Sequence, residues 1–155
     1  MTSNFIVRKA APTEASLIVD FQIAMAWESE KMKLDQAVVT RGVQSVFENK
    51  QHGIYFVAEP SNQPGTIAAS LLITFEWSDW RNGQVWWIHS VYVRPEFRKQ
   101  GAYKTMYEHL QNVVRADPNL RGLRLYVDKT NTNAQKVYVN LGMDLEHYHL
   151  GEWLK

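Results

Sequence analysis

Residues 91–104 contain the residue types that could hold a phosphate group. An apolar run ends at Pro95, a basic loop with one glycine follows, and a helical pattern begins after the loop. Such a loop presents backbone N–H groups at a helix N-terminus, where the helix dipole also favours an anion. Arg98, Lys99 and Lys104 add positive charge there. The segment predicts a phosphate or pyrophosphate cradle, with an ordinary strand-to-helix turn as the alternative.

Carboxylates next to tryptophans indicate a second chemistry, because this combination attracts a cationic amine through charge pairing and cation–π contact. Two segments have it, with Trp27, Glu28 and Glu30 in the first and Glu76, Trp77 and Asp79 in the second. In each segment the alternative is a solvated carboxylate beside a tryptophan of the core. The occurrence of both segments favours a cationic ligand, and Tyr148 and Glu152 could line the same pocket.

Length and composition limit the class of protein. The chain has 155 residues, and we expect residues 1–155 to form one domain. Its net charge of 17 − 16 = +1 does not recruit nucleic acid or an anionic membrane. There are no cysteines, and no His/Asp/Glu spacing suggests a metal site. The N-terminus lacks a signal-peptide pattern, and the most apolar helical stretch, residues 17–27, is short, so we expect a soluble, cytoplasmic protein.

The remaining sequence predicts the elements that must position these segments. Apolar runs between turn residues predict strands near residues 6–10, 54–58, 66–75, 85–93, 123–127 and 143–153. Residues 123–127 alternate with period two, whereas residues 85–93 are apolar on both parities, as expected of a strand at the sheet centre. Apolar residues at helical spacing predict helices after Pro12, from about Asp35, after Gly101 and from Thr132. The order is β-α-α-β-β-β-α-β-α-β. It predicts an α/β (α+β) domain with a mixed, mostly antiparallel central sheet flanked by helices.

Two separated patterns, in this element order, resemble the GNAT superfamily of acetyl-CoA-dependent N-acetyltransferases. The cofactor loop of that family has the form (Gln/Arg)-x-x-Gly-x-(Gly/Ala), and here residues 98–103 read Arg-Lys-Gln-Gly-Ala-Tyr. The second family signature is an Asn, an Ala three residues on, a Tyr four further, and then Gly with a hydrophobic residue. In this chain its members are Asn131, Ala134, Tyr138, Gly142 and Met143.

The resemblance implies a binding mode for acetyl-CoA as cosubstrate. Pantetheine would lie in a gap between the fourth and fifth strands, against backbone groups of Val91, Tyr92 and Val93. The pyrophosphate would bind backbone N–H groups close to Lys104, and the residues that supply them are Arg98, Lys99, Gln100, Gly101, Ala102 and Tyr103. Asn131 matches the family residue that bonds the pantetheine arm, and Ala134 belongs to the same signature.

One position departs from the family pattern. The last residue of the cofactor loop is normally Gly or Ala, which lets the helix approach the strand closely, and here it is Tyr103. Tyr103 lies on the apolar stripe of the following helix, so we expect its side chain to pack into the core.

The implied reaction needs a proton donor for the departing thiolate and a base for the amine, whose pKa in an alkylamine is about 10.4. The resemblance gives the donor role to Tyr138, and the alternative is a core aromatic of an amphipathic helix. Glu76 is the candidate base, because neighbouring tryptophans could shield it and raise its pKa; the alternative is an exposed turn carboxylate. His89 in the middle of a strand is more typical of a hydrogen-bonded core histidine.

The sequence therefore predicts an N-acetyltransferase that moves an acetyl group to a primary amine of a small cationic molecule. The alternatives are a protein lysine or N-terminal acetyltransferase and a non-catalytic CoA-binding module. A tryptophan-rich domain that stacks on sugar or single-stranded nucleic acid is a further alternative, which the near-neutral charge disfavours. No nucleic-acid or membrane partner is expected, and a homodimer is compatible with the resemblance.

Overall fold

The computed structural model describes residues 3–155, which form two compact units, one ending at Leu125 and the other beginning at Tyr126. The strands of the first unit are β1 (Phe5–Lys9), β2 (Ile54–Pro60), β3 (Ala69–Ser78), β4 (Gly83–Val93) and β5 (Leu120–Leu125). Its helices are α1 (Ala15–Glu30), α2 (Gln36–Glu48) and α3 (Ala102–Ala116). The second unit contains α4 (Thr132–Asn140).

The five strands of the first unit form one sheet in the order β1-β2-β3-β4-β5. The first three pairings are antiparallel, and β5 lies parallel to β4. Helix α3 connects these two parallel strands, because a parallel pair needs a crossover connection. The mixed, mostly antiparallel sheet predicted from the sequence is confirmed.

Helices cover both faces of this sheet. On one face, Tyr55 of β2 packs in a cluster with Ile18 of α1 and Val43 of α2, and we call this the α1–α2 face. On the other face, the ring of Phe56 lies 5.7 Å from that of His109 in α3, and we call this the α3 face. Neighbouring residues of β2 thus point to opposite helices, as the strand period of two requires.

The alternation along β4 is interrupted by a β-bulge. The β3–β4 register shifts after His89, and Ser90 adopts a positive φ of 52°. His89 bonds Thr74, and two residues beyond the bulge the side chain of Tyr92 packs on Phe21 of α1. The extra residue of the bulge therefore places both His89 and Tyr92 on the α1–α2 face, although their positions differ by an odd number.

The predicted last strand, residues 143–153, is wrong. The structure shows no strand in this segment, so the observed element order ends at α4. Its hydrophobic side chains alternate with polar ones only in two short stretches that are out of phase, Met143 with Leu145 and Tyr148 with Leu150. Tyr148 is 70 % exposed and Trp153 is 89 % exposed. A period-two pattern makes a strand only where a neighbouring strand and a buried face are available, which explains the failure.

Within residues 3–155, the helices lack the combination of length and apolar character that crossing a bilayer requires.

Candidate active site

Strand β4 is longer than its pairing with β5. The parallel pairing runs from Gln84 opposite Leu120 to Ile88 opposite Leu125, where β5 ends. Strand β4 continues through residues 89–93, which we call the β4 extension. Its edge on the β5 side therefore carries backbone groups beyond the parallel ladder. The predicted pantetheine residues Val91, Tyr92 and Val93 all lie in this extension.

The chain turns sharply between the β4 extension and α3, in a segment that we call the 94–101 loop. A short 3₁₀ turn at Pro95–Phe97 opens it, and Lys99 and Gly101 both have left-handed backbones, with φ values of 60° and 86°. Gly101 is the N-cap of α3, and the first helical bond runs from the Thr105 N–H to its carbonyl, at 2.9 Å. The N–H groups of the first turn of α3 thus point out of its N-terminus.

The surroundings of Gly101 fit an anion on these N–H groups. A Cβ placed there would meet no heavy atom within 4 Å, so the N-terminus of α3 is open to a ligand. α3 is fifteen residues long, which is enough for its dipole to favour negative charge at this end. The N–H groups and the open position at Gly101 are the features on which the prediction of a pyrophosphate cradle rests, and the cradle stays a prediction.

Three other residues of the predicted cradle contact neighbouring parts of the protein. The Gln100 amide donates to the carbonyl of Glu96 at 2.7 Å. Tyr103 is half-buried, and its ring stacks on that of Tyr107 at 6.2 Å, so it points along the inner side of α3 as expected. Lys104 is exposed and lies 3.8 Å from Glu108.

Arg98 is held by the protein, although its sequence position suggested a phosphate contact. Its Nε donates to the Val93 carbonyl at 2.9 Å, and its Nη2 donates to Glu28 Oε2 at 2.6 Å. The guanidinium also lies 5.7 Å from the ring centre of Tyr92, whose hydroxyl donates to Glu28 Oε1 at 3.3 Å. The structure thus joins a residue predicted to bind the acceptor, Glu28, to two residues predicted to bind the cofactor.

Tyr92 is the buried centre of this contact. Burial, then the neighbouring Glu28 carboxylate, raises its pKa, and Arg98 partly offsets the rise. The hydroxyl consequently keeps its proton and remains a donor to Glu28 at neutral pH.

Polar side chains from β3, β4 and β5 meet on the α1–α2 face. Glu76 forms an ion pair with Arg124 and accepts a hydrogen bond from Trp87 Nε1 at 3.1 Å. The Arg124 guanidinium lies 6.0 Å from the ring centre of Trp87. Glu76 was expected to be shielded by the tryptophans next to it in sequence, but Trp77 is 63 % exposed. The tryptophan that contacts Glu76 comes instead from β4.

His89 lies in the same group, one residue beyond the end of the β4–β5 pairing. Its Nε2 is 2.8 Å from Thr74 Oγ1, and its ring lies nearly parallel to that of Trp87, at 6.2 Å. Burial lowers the pKa of the imidazole, so at pH 7 the ring is neutral and has an unprotonated nitrogen. Together these side chains form what we call the polar cluster: Thr74, Glu76, Trp87, His89 and Arg124.

The positions of His89 and Glu76 relative to the β4 extension differ. Glu76 pairs with Val85, which precedes His89 by four residues, or about 13 Å along a strand. Glu76 therefore lies where β4 is still paired with β5, whereas His89 begins the β4 extension. Sequence reasoning gave His89 less weight, because a lone histidine in a strand is more typical of a hydrogen-bonded core residue, and the contact with Thr74 agrees with that alternative. The end of the parallel pairing, which is not visible in a single strand pattern, is what draws attention to it.

The two segments predicted to bind the amine are not brought together. Trp77 pairs with Gln84 near the start of β4, and Asp79 accepts from the Trp80 N–H at 2.9 Å in the following turn. Glu28 contacts Tyr92, eight residues beyond Gln84 and about 26 Å away along the strand. A single pocket built from both segments is therefore inconsistent with the structure. The other members of the first segment, Trp27 and Glu30, are exposed at the end of α1.

The second unit explains the spacing of the other signature. The Asn131 side chain caps α4 by accepting a hydrogen bond from the Ala134 N–H at 3.1 Å. At the other end, the Gly142 and Met143 N–H groups donate to the carbonyls of residues 139 and 138, and Gly142 has a φ of 89°. This is a Schellman motif, which requires a left-handed residue four positions after Tyr138.

Tyr138 itself is half-buried in the second unit. Burial raises the pKa of its hydroxyl, so the phenol remains protonated throughout the neutral range. Within residues 3–155, no three His, Cys, Asp or Glu side chains are grouped so that they could hold a metal ion.

Comparison with known proteins places this geometry in a family. The model of the Acetyltransferase (GNAT) family matches residues 20–143. A thialysine N-epsilon-acetyltransferase of Caenorhabditis elegans is 29 % identical over 136 residues, which are 87 % of this chain and 80 % of that protein.

Solved structures agree with the family match. A possible acetyltransferase from Clostridium difficile 630 superposes with a TM-score of 0.88 at 34 % identity, covering 99 % of both chains. A predicted acetyltransferase from Clostridium acetobutylicum, solved with acetyl-CoA, shares the fold with a TM-score of 0.69 at 23 % identity, covering 97 % of this chain and 94 % of that one. The chain accordingly belongs to the GNAT family and is an N-acetyltransferase.

Proposed function

We propose that the protein transfers the acetyl group of acetyl-CoA to a primary amine of a small cationic molecule. One observation carries the proposal: β4 extends beyond its pairing with β5, and the 94–101 loop connects this extension to the N-terminus of α3. This arrangement offers strand backbone to an extended, amide-containing arm and helix N–H groups to a pyrophosphate, which is the chemistry of CoA.

Binding of acetyl-CoA is assigned to backbone groups first. Val91, Tyr92 and Val93 would hold the pantetheine arm, and the N–H groups of residues 98–103 would hold the pyrophosphate, with Lys104 nearby. Asn131 and Ala134 are assigned to the cofactor on the family signature. Support for acetyl-CoA comes from the family match and from the Clostridium acetobutylicum structure, which contains it.

The chemistry needs two proton movements. The amine nitrogen bonds to the thioester carbonyl carbon, the carbon–sulfur bond breaks, and the CoA sulfur takes up a proton. We assign that proton to Tyr138, whose raised pKa keeps it in the acid form. The amine must lose a proton to a base. Glu76 was the sequence candidate, and the position of the neutral imidazole of His89 favours His89 in its place.

The proposed class of acetyl acceptor rests on the name of one relative and on the negative charge of the carboxylates that were predicted to bind it. The Caenorhabditis elegans relative is named for thialysine, an amino acid with a primary amine in its side chain. Trp27, Glu30, Trp77 and Asp79 stay predictions as acceptor residues. Since the two segments lie about 26 Å apart along β4, one site can use only one of them, and we favour Trp27 and Glu30 because they lie at the same end as Tyr92. Three further properties also stay predictions: a single domain, a cytoplasmic location and a homodimer.

Two measurements test the proposal, first for cofactor binding and then for acetyl transfer. Thermal unfolding with acetyl-CoA, CoA and ATP should show a larger rise in Tm with the first two, since a ligand at 100 times its Kd stabilises by about 2.7 kcal/mol. A panel of thialysine, lysine, spermidine and lysine-containing peptides should then give acetyl transfer to a small amine. Transfer to peptides alone would replace the small-molecule assignment with a protein substrate, and binding without any transfer would indicate a CoA-binding module.

A further inference from the structure

Glu28 was predicted to bind the amine substrate, but its carboxylate contacts two residues of the predicted cofactor site, Tyr92 and Arg98. We propose, on the basis of the proposed function, that Glu28 is a positioning residue for the pyrophosphate cradle. Through Arg98 and Tyr92 it holds the 94–101 loop against the last turn of α1, in the shape that presents N–H groups to acetyl-CoA. The alternative is a carboxylate that binds the acceptor amine. The positioning role is favoured because each oxygen of Glu28 already accepts a hydrogen bond from a residue of the β4 extension or the 94–101 loop, at 3.3 Å from Tyr92 and 2.6 Å from Arg98.

The loop needs such support because its backbone is strained. Lys99 has a left-handed φ of 60°, a conformation that is unfavourable for a residue with a side chain. The two residues that flank it are both tethered, Arg98 to Val93 and Glu28, and Gln100 to Glu96. These tethers keep Lys99 in its unfavourable conformation and so preserve the turn that aims Gly101 and the start of α3.

The position of Glu28 in α1 favours the same role. A carboxylate in the last turn of a helix faces the negative end of the dipole, and α1 has no basic residue in its last turn to offset it. Arg98 supplies that positive charge from seventy residues further along the chain. The ion pair thus stabilises the end of α1 and the loop together, so the loop shape depends on a residue outside the cofactor-binding motif.

Because Glu28 acts on the loop, its effect should depend on the pyrophosphate of the ligand. We would measure the Kd of CoA and of pantetheine, which lacks the pyrophosphate, by calorimetry for wild type and E28Q. We expect E28Q to weaken CoA about fivefold, since both partners are partly exposed, and pantetheine less than twofold. R98Q should weaken CoA at least as much, and the E28Q/R98Q double variant should be no weaker than R98Q.

Glu48 provides a matched control, because it is an exposed carboxylate in the last turn of α2, and E48Q should leave both Kd values unchanged. Thermal unfolding of each variant checks that it folds, and R98K, which keeps the charge without the fork of donors, should fall between wild type and R98Q. An unchanged Kd of CoA in E28Q would overturn the positioning role, and so would equal weakening of both ligands. Failure of wild type to bind CoA would instead overturn the proposed function, and the positioning role with it.

Discussion

The two ends of β4 are supported in different ways. At its N-terminal end, Gln84 pairs with Trp77 of β3 on one side and with Leu120 of β5 on the other. At its C-terminal end, beyond Ile88, the β5 ladder has stopped, and the backbone runs through a strained loop into α3. The first end carries exposed tryptophans, while the second offers backbone donors. The contrast teaches that backbone groups left without a neighbouring strand need not coincide with the side chains that stand out in the sequence.

The largest expected effect tests this contrast by comparing kcat after removal of each candidate base, His89 and Glu76. We expect H89Q to lower kcat about 100-fold, because general base catalysis contributes on that order, and E76Q to lower it less than about threefold. The measurement is kcat at saturating acetyl-CoA with the best amine of the panel. The opposite ranking would return the base to Glu76 and to the fully paired part of the sheet.

Loss of the proton donor should come next in size. Y138F should lower kcat about 30-fold and leave the Kd of CoA unchanged, because only a hydroxyl is removed from a half-buried ring. Steady-state kinetics with calorimetry on the same preparation separate the two effects. If kcat of Y138F equals that of wild type from pH 7 to pH 9, Tyr138 has no part in the proton transfer.

A side chain at the left-handed N-cap of α3 should weaken the binding of CoA about tenfold. G101V forces a β-branched residue to a φ of 86°, so the first-turn N–H groups must move, and the Kd of CoA should rise by that factor. Gly65 makes a matched control, since it has a φ of 84° and equally open surroundings, in the connection between β2 and β3. G65V should lose stability similarly with no change in Kd, and equal CoA affinity in both variants would contradict the cradle.

A smaller effect should appear in the acid stability of the fold. Burial lowers the pKa of His89 and of His109 from 6.5, so both are neutral in the folded state. The unfolded chain binds protons first as the pH falls below 6.5, and the free energy of unfolding should decrease from there toward pH 5. Urea titrations of wild type and an H89Q/H109Q variant measure this, and a slope that the variant retains would assign the pH dependence to other groups.

The smallest effects are expected at the N-terminal end of β4. W77A and D79N should each change kcat/KM by less than about twofold, because these exposed side chains lie about 26 Å from Tyr92 along the strand. A tenfold loss of kcat/KM in either variant would place the acceptor at this end and remove the basis of the contrast.

Local patterns predicted most of the elements because they depend on near neighbours in sequence. The helix from Asp35 begins as expected, with the Asp35 side chain accepting from the Val38 N–H at 3.0 Å. Strands near residues 54–58 and 66–75 were likewise predicted from the turn residues that separate them, and β2 and β3 pair antiparallel. The spacing of Asn131, Tyr138 and Gly142 also has a local cause, since it matches the two caps of α4.

Contacts between distant segments explain what the sequence could not show. The partners of Glu28 and Glu76, Arg98 and Arg124, are 70 and 48 residues away, and no local pattern pairs them. The same holds for the end of the β4–β5 ladder, which decides that His89 begins the β4 extension and that Glu76 of β3 lies beside the part of β4 that is still paired with β5. Whether residues 143–153 become a strand likewise depends on a neighbouring strand, which an alternating pattern does not guarantee.

The bulge at Ser90 also has a consequence for how β4 tolerates change. Successive side chains of β4 face alternate helix layers, and the phase of that alternation inverts at the bulge. In a library of single substitutions, the positions sensitive to the α1–α2 layer should therefore be odd-numbered before residue 90 and include the even-numbered Tyr92 after it. Deleting Ser90 would remove the extra residue and restore a regular β3–β4 register, and Tyr92 would stay on the α1–α2 face beside Phe21 and Glu28. A reading of β4 that ignores the bulge and alternates without interruption would instead assign every residue after the bulge to the wrong side of the sheet.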